Sequence, residues 1–117
     1  MKQSKHVSKS KSFSFAVRVV HLARYLQHEK REFVLSKQVL RAGASIEEAG
    51  AGESGKDFRS RMSIASKEAR ETLYWLRLLR ATDYLESRMA DSMIKDCEEP
   101  VALLTSIVKT TTETYQA

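Results

Sequence analysis

Two apolar stripes run along the segment from Phe58 to Leu79. The first repeats at intervals of four and three residues and consists of Phe58, Met62, Ala65, Ala69, Thr72, Leu76 and Leu79. The second has the same spacing, lies further round the helix and consists of Ile64, Glu68, Glu71, Trp75 and Leu78. Such spacing is typical of a helix held against partners. Because a surface helix needs only one stripe, we predict packing on two sides, as in a bundle that also self-associates.

The N-terminal part of the chain predicts a first helix from about Phe13 to Lys30, capped by Ser12 or Ser14. Its core stripe is Phe15, Val19, Leu22 and Leu26. Val17 and Tyr25 lie on another side, so this helix is also apolar beyond one stripe. Residues 1–11 show no periodicity and are predicted to form a flexible tail.

A second helix is predicted after a short break near Arg31–Glu32. Its apolar positions are Leu35, Val39, Ala42, Ile46 and Ala49. Residues 42–45 all have small side chains, and a glycine inside a helix costs about 1 kcal/mol relative to alanine. We therefore expect a neighbouring helix to approach closely at Gly43. The helix should end at the loop that contains Gly50, Gly52 and Gly55.

The third helix should run from about Ser54 to Ala81, and Thr82–Asp83 breaks the pattern. A fourth helix is predicted from near Glu86, with an apolar stripe of Met89, Met93, Cys97, Val101, Leu104 and Val108. Pro100 removes one backbone hydrogen bond and clashes with the preceding turn, so we expect a kink or break at Asp96–Glu99. The predicted fold is all-α, an up-down four-helix bundle formed by residues 12–117.

Composition narrows the class of protein. The chain has 117 residues, only four glycines and one proline, which favours a single helical domain. It has no apolar run of about 18 residues, so we expect no membrane span. It also lacks the apolar segment of a secretory signal. Its one cysteine, Cys97, rules out an internal disulfide and fits a reducing, cytoplasmic environment.

Most of the net charge of +5 belongs to the N-terminal tail. The tail carries Lys2, Lys5, Lys9 and Lys11 and no acidic residue. These lysines, joined by Arg18 and Arg24 on helix one, are the candidate contacts to nucleic-acid phosphates. The alternative is a solvated terminus that binds nothing. The body of the chain is close to neutral, so a uniformly basic nucleic-acid-binding domain is not expected.

No catalytic or metal site emerges from the titratable residues. His21 and His28 are two helical turns apart, about 10 Å, which is too far for two ligands of one metal ion on a straight helix. Cys97 lies on an apolar stripe between acidic neighbours, which would weaken a thiolate nucleophile. We expect no enzymatic activity and no cofactor.

Arg41, Glu68 and Glu71 are expected to form a polar network. The two glutamates interrupt an apolar seam, and buried carboxylates need a cation or hydrogen-bond donors. Arg41 at the edge of helix two is the candidate cation, within one chain or across a subunit interface. A catalytic carboxylate pair is the alternative interpretation.

Surplus apolar residues indicate self-association. Those beyond the core stripes are Val17, Tyr25, Ile64, Trp75 and Leu78, and we assign them to an oligomer interface. Left in water, they would form a larger apolar patch than monomers usually expose.

Several segments occur in a characteristic order: residues 13–20 (FSFAVRVV), 35–46 (LSKQVLRAGASI), 56–58 (KDF), 63–72 (SIASKEARET) and 73–76 (LYWL). In these segments the chain closely resembles bacterial four-helix bundle proteins known as ribosomal RNA intervening-sequence proteins. That family is similar to the accessory variability determinant of diversity-generating retroelements. One departure stands out, because Glu47-Glu48-Ala49 follows Ile46 about four residues earlier than is usual in the family.

The resemblance implies a ring-like homopentamer of up-down bundles. For the retroelement relatives it also implies a basic surface that engages nucleic acid and a reverse transcriptase. We therefore expect a non-catalytic, cytoplasmic homo-oligomer that binds RNA or a nucleoprotein. The alternative is a protein–protein adaptor with no nucleic-acid role.

Overall fold

Four α-helices account for nearly all of the described chain. The computed structural model describes residues 3–50 and 56–116, with side chains at 13–46, 58–99, 101 and 109. The helices are α1 (Gln3–Glu29), α2 (Leu35–Gly50), α3 (Lys56–Ala81) and α4 (Ser87–Gln116). No strand occurs in these residues. The all-α fold predicted from the sequence is confirmed.

Two helix boundaries differ from the predicted ones. Helix α1 begins at Gln3 rather than at Phe13, so neither Ser12 nor Ser14 caps it. The helix thus includes most of the segment assigned to a flexible tail, whose flexibility stays a prediction. Helix α4 continues through Pro100 to Gln116, so the predicted break is wrong. A proline removes only one N–H donor, and the hydrogen-bonded turns on either side can carry the helix past it. A kink there stays a prediction.

Each helix packs against its neighbour along the chain. Residues 30–34 join α1 to α2 and residues 82–86 join α3 to α4, so each pair runs antiparallel. Helix α2 packs on both α1 and α3, and α4 returns to close the bundle against α1. The pair α1–α4 is the least closely packed of the four. Helices α1 and α3 therefore lie diagonally across the bundle from each other.

The core consists largely of the predicted stripes. Its buried members include Phe15, Val19, Leu22, Leu26, Val39, Ile46, Met62, Ala65, Ala69, Leu76, Leu79, Met93 and Cys97. Thr72 is buried among them because its hydroxyl donates to the carbonyl oxygen of Glu68 at 2.7 Å. Met89 is the exception, since it was assigned to the α4 stripe but is 48% exposed. Leu104 and Val108 lie outside the residues whose side chains are described.

The α3–α4 turn is fixed by backbone hydrogen bonds. Asp83 has a φ of 63° and follows the end of α3. Its N–H bonds to the carbonyl of Arg80 at 3.2 Å, and that of Tyr84 bonds to Leu79 at 3.0 Å. This pair of bonds satisfies the last carbonyl groups of the helix. The break predicted at Thr82–Asp83 is confirmed.

A membrane span needs a longer apolar stretch than any described helix provides.

Candidate functional site

Arg41 joins α2 to α3 through two carboxylates. Its Nη1 donates to Oε2 of Glu68 at 3.0 Å, and its Nη2 donates to Oε1 of Glu71. The predicted pairing is confirmed, and both partners belong to the same chain. The Arg41 side chain is 51% exposed, whereas that of Glu68 is only 12% exposed. Water therefore screens the cation, and the network resembles a partly exposed ion pair more than a buried one.

The second stripe of α3 contains these two glutamates and three apolar residues. Trp75 packs partly against the core, with its ring edge-on to Tyr74 at a centroid distance of 5.0 Å. Its indole Nε1 is buried and has no hydrogen-bond partner among the described atoms. Leu78 is half-buried, and Ile64 is exposed. Much of this stripe is therefore occupied by packing within the chain, and Ile64 is its most open apolar member.

The predicted interface residues on α1 both reach solvent. Val17 and Tyr25 are exposed, and Tyr25 lines a groove between α1 and α4. The groove has a volume of about 430 Å³ and is also lined by Leu22, Leu85, Met89 and Met93. It exists because α1 and α4 pack least closely, and this separation also leaves Met89 in contact with solvent.

Only part of the predicted basic surface falls among the described side chains. Lys2, Lys5, Lys9 and Lys11 lie outside them, so their role stays a prediction. Arg24 is exposed on α1. Arg18 instead forms an ion pair with Asp96 on α4. That contact, which the sequence analysis missed, neutralises Arg18 locally and makes it a weaker candidate for phosphate binding than Arg24.

The residues weighed as metal ligands or nucleophile do not form a site. His21 and His28 are both exposed, and the described residues contain no group of three His, Cys, Asp or Glu side chains that could hold a metal ion. Cys97 is buried, and its Sγ lies 3.4 Å from the carbonyl oxygen of Ala69. Burial, together with the charge of Glu98, raises the pKa of the Cys97 thiol to about 12. Cys97 is therefore protonated and inert at neutral pH.

Glu32 has a structural role that the sequence analysis missed. Its buried carboxylate accepts hydrogen bonds from the N–H groups of Val34, Leu35 and Ser36 at 3.1, 2.9 and 2.7 Å. It thereby satisfies three of the donors left free at the start of α2. A sequence signal was present, since an acidic residue shortly before a helix is favourable for its N-terminus. The unusual feature is that a single glutamate serves three donors.

Comparison with known proteins agrees with this architecture. The chain is similar to a protein of unknown function from the S23 ribosomal protein family of Bacteroides thetaiotaomicron VPI-5482, whose crystal structure is known at 1.70 Å resolution. The two share 47% sequence identity and superpose with a TM-score of 0.80 over 86% of this chain and 97% of the other. No curated protein matches the chain. Residues 5–106 match the family described as 23S rRNA-intervening sequence protein, and the chain belongs to that family.

Proposed function

We propose that the chain assembles into a non-catalytic, ring-like homopentamer that binds RNA or a nucleoprotein through basic side chains. The observation that carries this proposal is the match of residues 5–106 to a family described by an intervening sequence in 23S rRNA. RNA is therefore the first ligand to test. We also propose a reverse transcriptase-like protein as a second binding partner of the chain. A cytoplasmic location is part of it as well.

The distribution of exposed apolar residues supports self-association. Val17 and Val20 are exposed on α1, and Ile64 is exposed on α3. These two helices lie diagonally across the bundle, so the two patches face different directions. If the α1 patch of one copy binds the α3 patch of the next, the contact is heterologous, and it closes into a ring when the rotation permits. The number five comes from the family resemblance.

The balance of charge supports an anionic ligand. The chain carries 20 Lys and Arg residues against 15 Asp and Glu. Four of these lysines lie within residues 1–11. In one copy they would form a weak site, but a ring would present the same residues several times and raise the overall affinity. Binding of this kind weakens steeply with salt because it releases counterions from the phosphates.

A fluorescence anisotropy titration tests the proposal. The full chain and a variant lacking residues 1–11 are titrated into a labelled, structured ribosomal RNA fragment at several salt concentrations. A second variant keeps the length and replaces Lys2, Lys5, Lys9 and Lys11 by Gln. We expect salt-dependent binding by the full chain, and the same loss of affinity in both variants. Absence of binding by the full chain at low salt would overturn the RNA role and favour the protein–protein adaptor.

A further inference from the structure

The turn between α1 and α2 exposes two adjacent apolar side chains. Phe33 is 49% exposed and Val34 is 70% exposed. Residues in turns are usually small or polar because such side chains suit the bent backbone and bind water. Neither side chain belongs to the buried core. The packing of the fold therefore gives no reason for an aromatic ring at this position.

Three cationic residues lie within four positions of these two side chains in the sequence. Lys30, Arg31 and Lys37 are all exposed, and none forms an ion pair with a described acidic side chain. We call Lys30, Arg31, Phe33, Val34 and Lys37 the basic turn. From Lys30 to Lys37 the only acidic residue is Glu32, and its carboxylate is buried and bonded to backbone N–H groups. Glu29, at the end of α1, is the nearest exposed acid in the sequence.

The backbone that carries the basic turn is firmly held. Glu32 binds three backbone N–H groups, and Gln27 on α1 donates to the buried hydroxyl of Ser36 at 3.1 Å. Leu35 packs against the core. Phe33 and Val34 are thus presented on a fixed support between buried neighbours. A ligand that contacts them would have little backbone ordering to induce, which favours binding.

We propose that the basic turn is a contact site for single-stranded RNA. Phe33 stacks on an unpaired base, while Lys30, Arg31 and Lys37 contact neighbouring phosphates. An exposed aromatic ring among cations is the combination that binds single strands, because every base has a face for stacking and every nucleotide carries a charge. The helix N-terminus contributes nothing here, since Glu32 already occupies its N–H groups. This inference rests on the proposed RNA-binding function and assigns it a site.

Anisotropy titrations of the full chain with two RNA probes test the site. One probe is a labelled single-stranded oligonucleotide of 12 nucleotides, and the other is the duplex of the same sequence. Phe33→Ala should weaken binding of the single strand by about tenfold and leave duplex binding unchanged, because paired bases are not free to stack on the ring. Replacing Lys30, Arg31 and Lys37 by Gln should weaken both and reduce the salt slope for the single strand by about 2.

Matched control variants distinguish loss of the basic turn from a general loss of aromatic surface or positive charge. Tyr74→Ala removes another exposed aromatic ring, and replacing Lys67, Arg88 and Lys95 by Gln removes three exposed charges elsewhere. Both controls should retain the selectivity for the single strand. Circular dichroism and light scattering should first show that every variant keeps the wild-type fold and mass.

Three outcomes would contradict the inference. If the full chain binds RNA and the basic-turn variants bind it equally well, the site is wrong while the proposed function stands. If the full chain binds no RNA, the basic-turn site and the proposed RNA-binding function are both wrong. Vesicles containing phosphatidylserine provide the third arm. If Phe33→Ala abolishes vesicle binding without changing RNA binding, the basic turn is a membrane contact instead.

Discussion

A Cβ atom placed on Gly43 would lie 2.8 Å from both γ-carbons of Val19. Carbon atoms that are not bonded to each other do not approach so closely in folded proteins, so α1 and α2 adopt this separation only because residue 43 has no side chain. Val19 is completely buried, which leaves it no room to move aside. The close approach expected from the run of small residues in α2 is therefore confirmed.

Gly43→Ala should destabilise the protein. Alanine improves helix propensity by about 1 kcal/mol, but overpacking a filled core costs about 1–3 kcal/mol. We expect a net loss of about 1 kcal/mol in the free energy of unfolding, measured by urea denaturation. In the Val19→Ala background both γ-carbons are gone and only the Cβ of residue 19 remains, 3.2 Å from the added Cβ. Gly43→Ala should therefore cost much less there than in the wild-type background. An equal loss in both backgrounds would contradict the steric explanation.

Arg41→Ala should cost about 1 kcal/mol of unfolding free energy. For a buried site we would expect about 2–4 kcal/mol, but half of the Arg41 side chain is exposed and water screens its charge. The loss should shrink at 1 M salt. Arg77→Ala is the matched control, because Arg77 is more exposed and lies 3.6 Å from its partner Glu98. An effect of Arg41→Ala no larger than the control would mean that the network contributes nothing.

The sequence predicted those features that follow from helical periodicity and from the cost of burying charge. Val39 and Leu76 are completely buried because a 4-3 spacing places them on one helix face, and the bundle covers that face. Arg41 could be assigned to Glu68 because two carboxylates in an apolar seam require a cation. The first inference uses periodicity alone, whereas the second also assumes that helices two and three are neighbours in the bundle.

The features that were missed depend on tertiary structure. Arg18 and Asp96 are 78 positions apart, and nothing in local spacing indicates their contact. Met89 has the spacing of a core residue, yet α1 and α4 stand apart where it lies, so it faces the groove. The basic turn was not predicted from the sequence for a related reason. The burial of Glu32, whose carboxylate binds backbone N–H groups instead of the neighbouring cations, appears only once the turn is folded.

Glu32→Ala should remove the acceptor of three backbone N–H groups at the start of α2. Loss of a helix cap costs about 0.5–2 kcal/mol, and we expect the upper part of that range because the site is buried. Thermal unfolding followed by circular dichroism measures the change. Glu29→Ala, which removes an exposed carboxylate three residues earlier, should change stability by less than about 0.5 kcal/mol. Similar effects of the two substitutions would contradict the capping role.

Cys97 should make stability depend on alkaline pH. Burial raises the pKa of its thiol from an ordinary value of 9.0 to about 12, so above pH 9 the unfolded chain loses a proton that the folded chain keeps. Ionisation therefore favours unfolding between pH 9 and 12, by up to about 1.4 kcal/mol for each pH unit. Lysines and tyrosines also titrate in this range, so the measurement is a difference between wild type and Cys97→Ala.

Urea unfolding at pH 8 and pH 10 gives that difference. Cys97→Ala leaves a cavity and should be the less stable protein at pH 8. At pH 10 the difference in unfolding free energy between wild type and Cys97→Ala should be smaller by about 1 kcal/mol, because only the wild type has this thiol to ionise. Thiol reagents should also label native Cys97 far more slowly than the unfolded chain. If the difference in unfolding free energy were the same at both pH values and native Cys97 were labelled rapidly, the buried placement would be contradicted.

If the chain self-associates through one patch on α1 (Val17 and Val20) and a different patch on α3 (Ile64), mixing two interface variants should restore a contact that each variant alone has lost. Light scattering coupled to size exclusion should give a mass about five times the chain's 13.3 kDa for the wild type. Val17→Asp and Ile64→Asp should each lower this mass, since a charge in an apolar contact is costly to desolvate. Ser63→Asp places the same charge on an exposed neighbour of Ile64 and should leave the mass unchanged. When the two interface variants are mixed, each still has one intact patch, and these complement each other. The mixture should therefore form a species of twice the chain mass and go no further, whereas a symmetric interface that uses one patch would not recover on mixing.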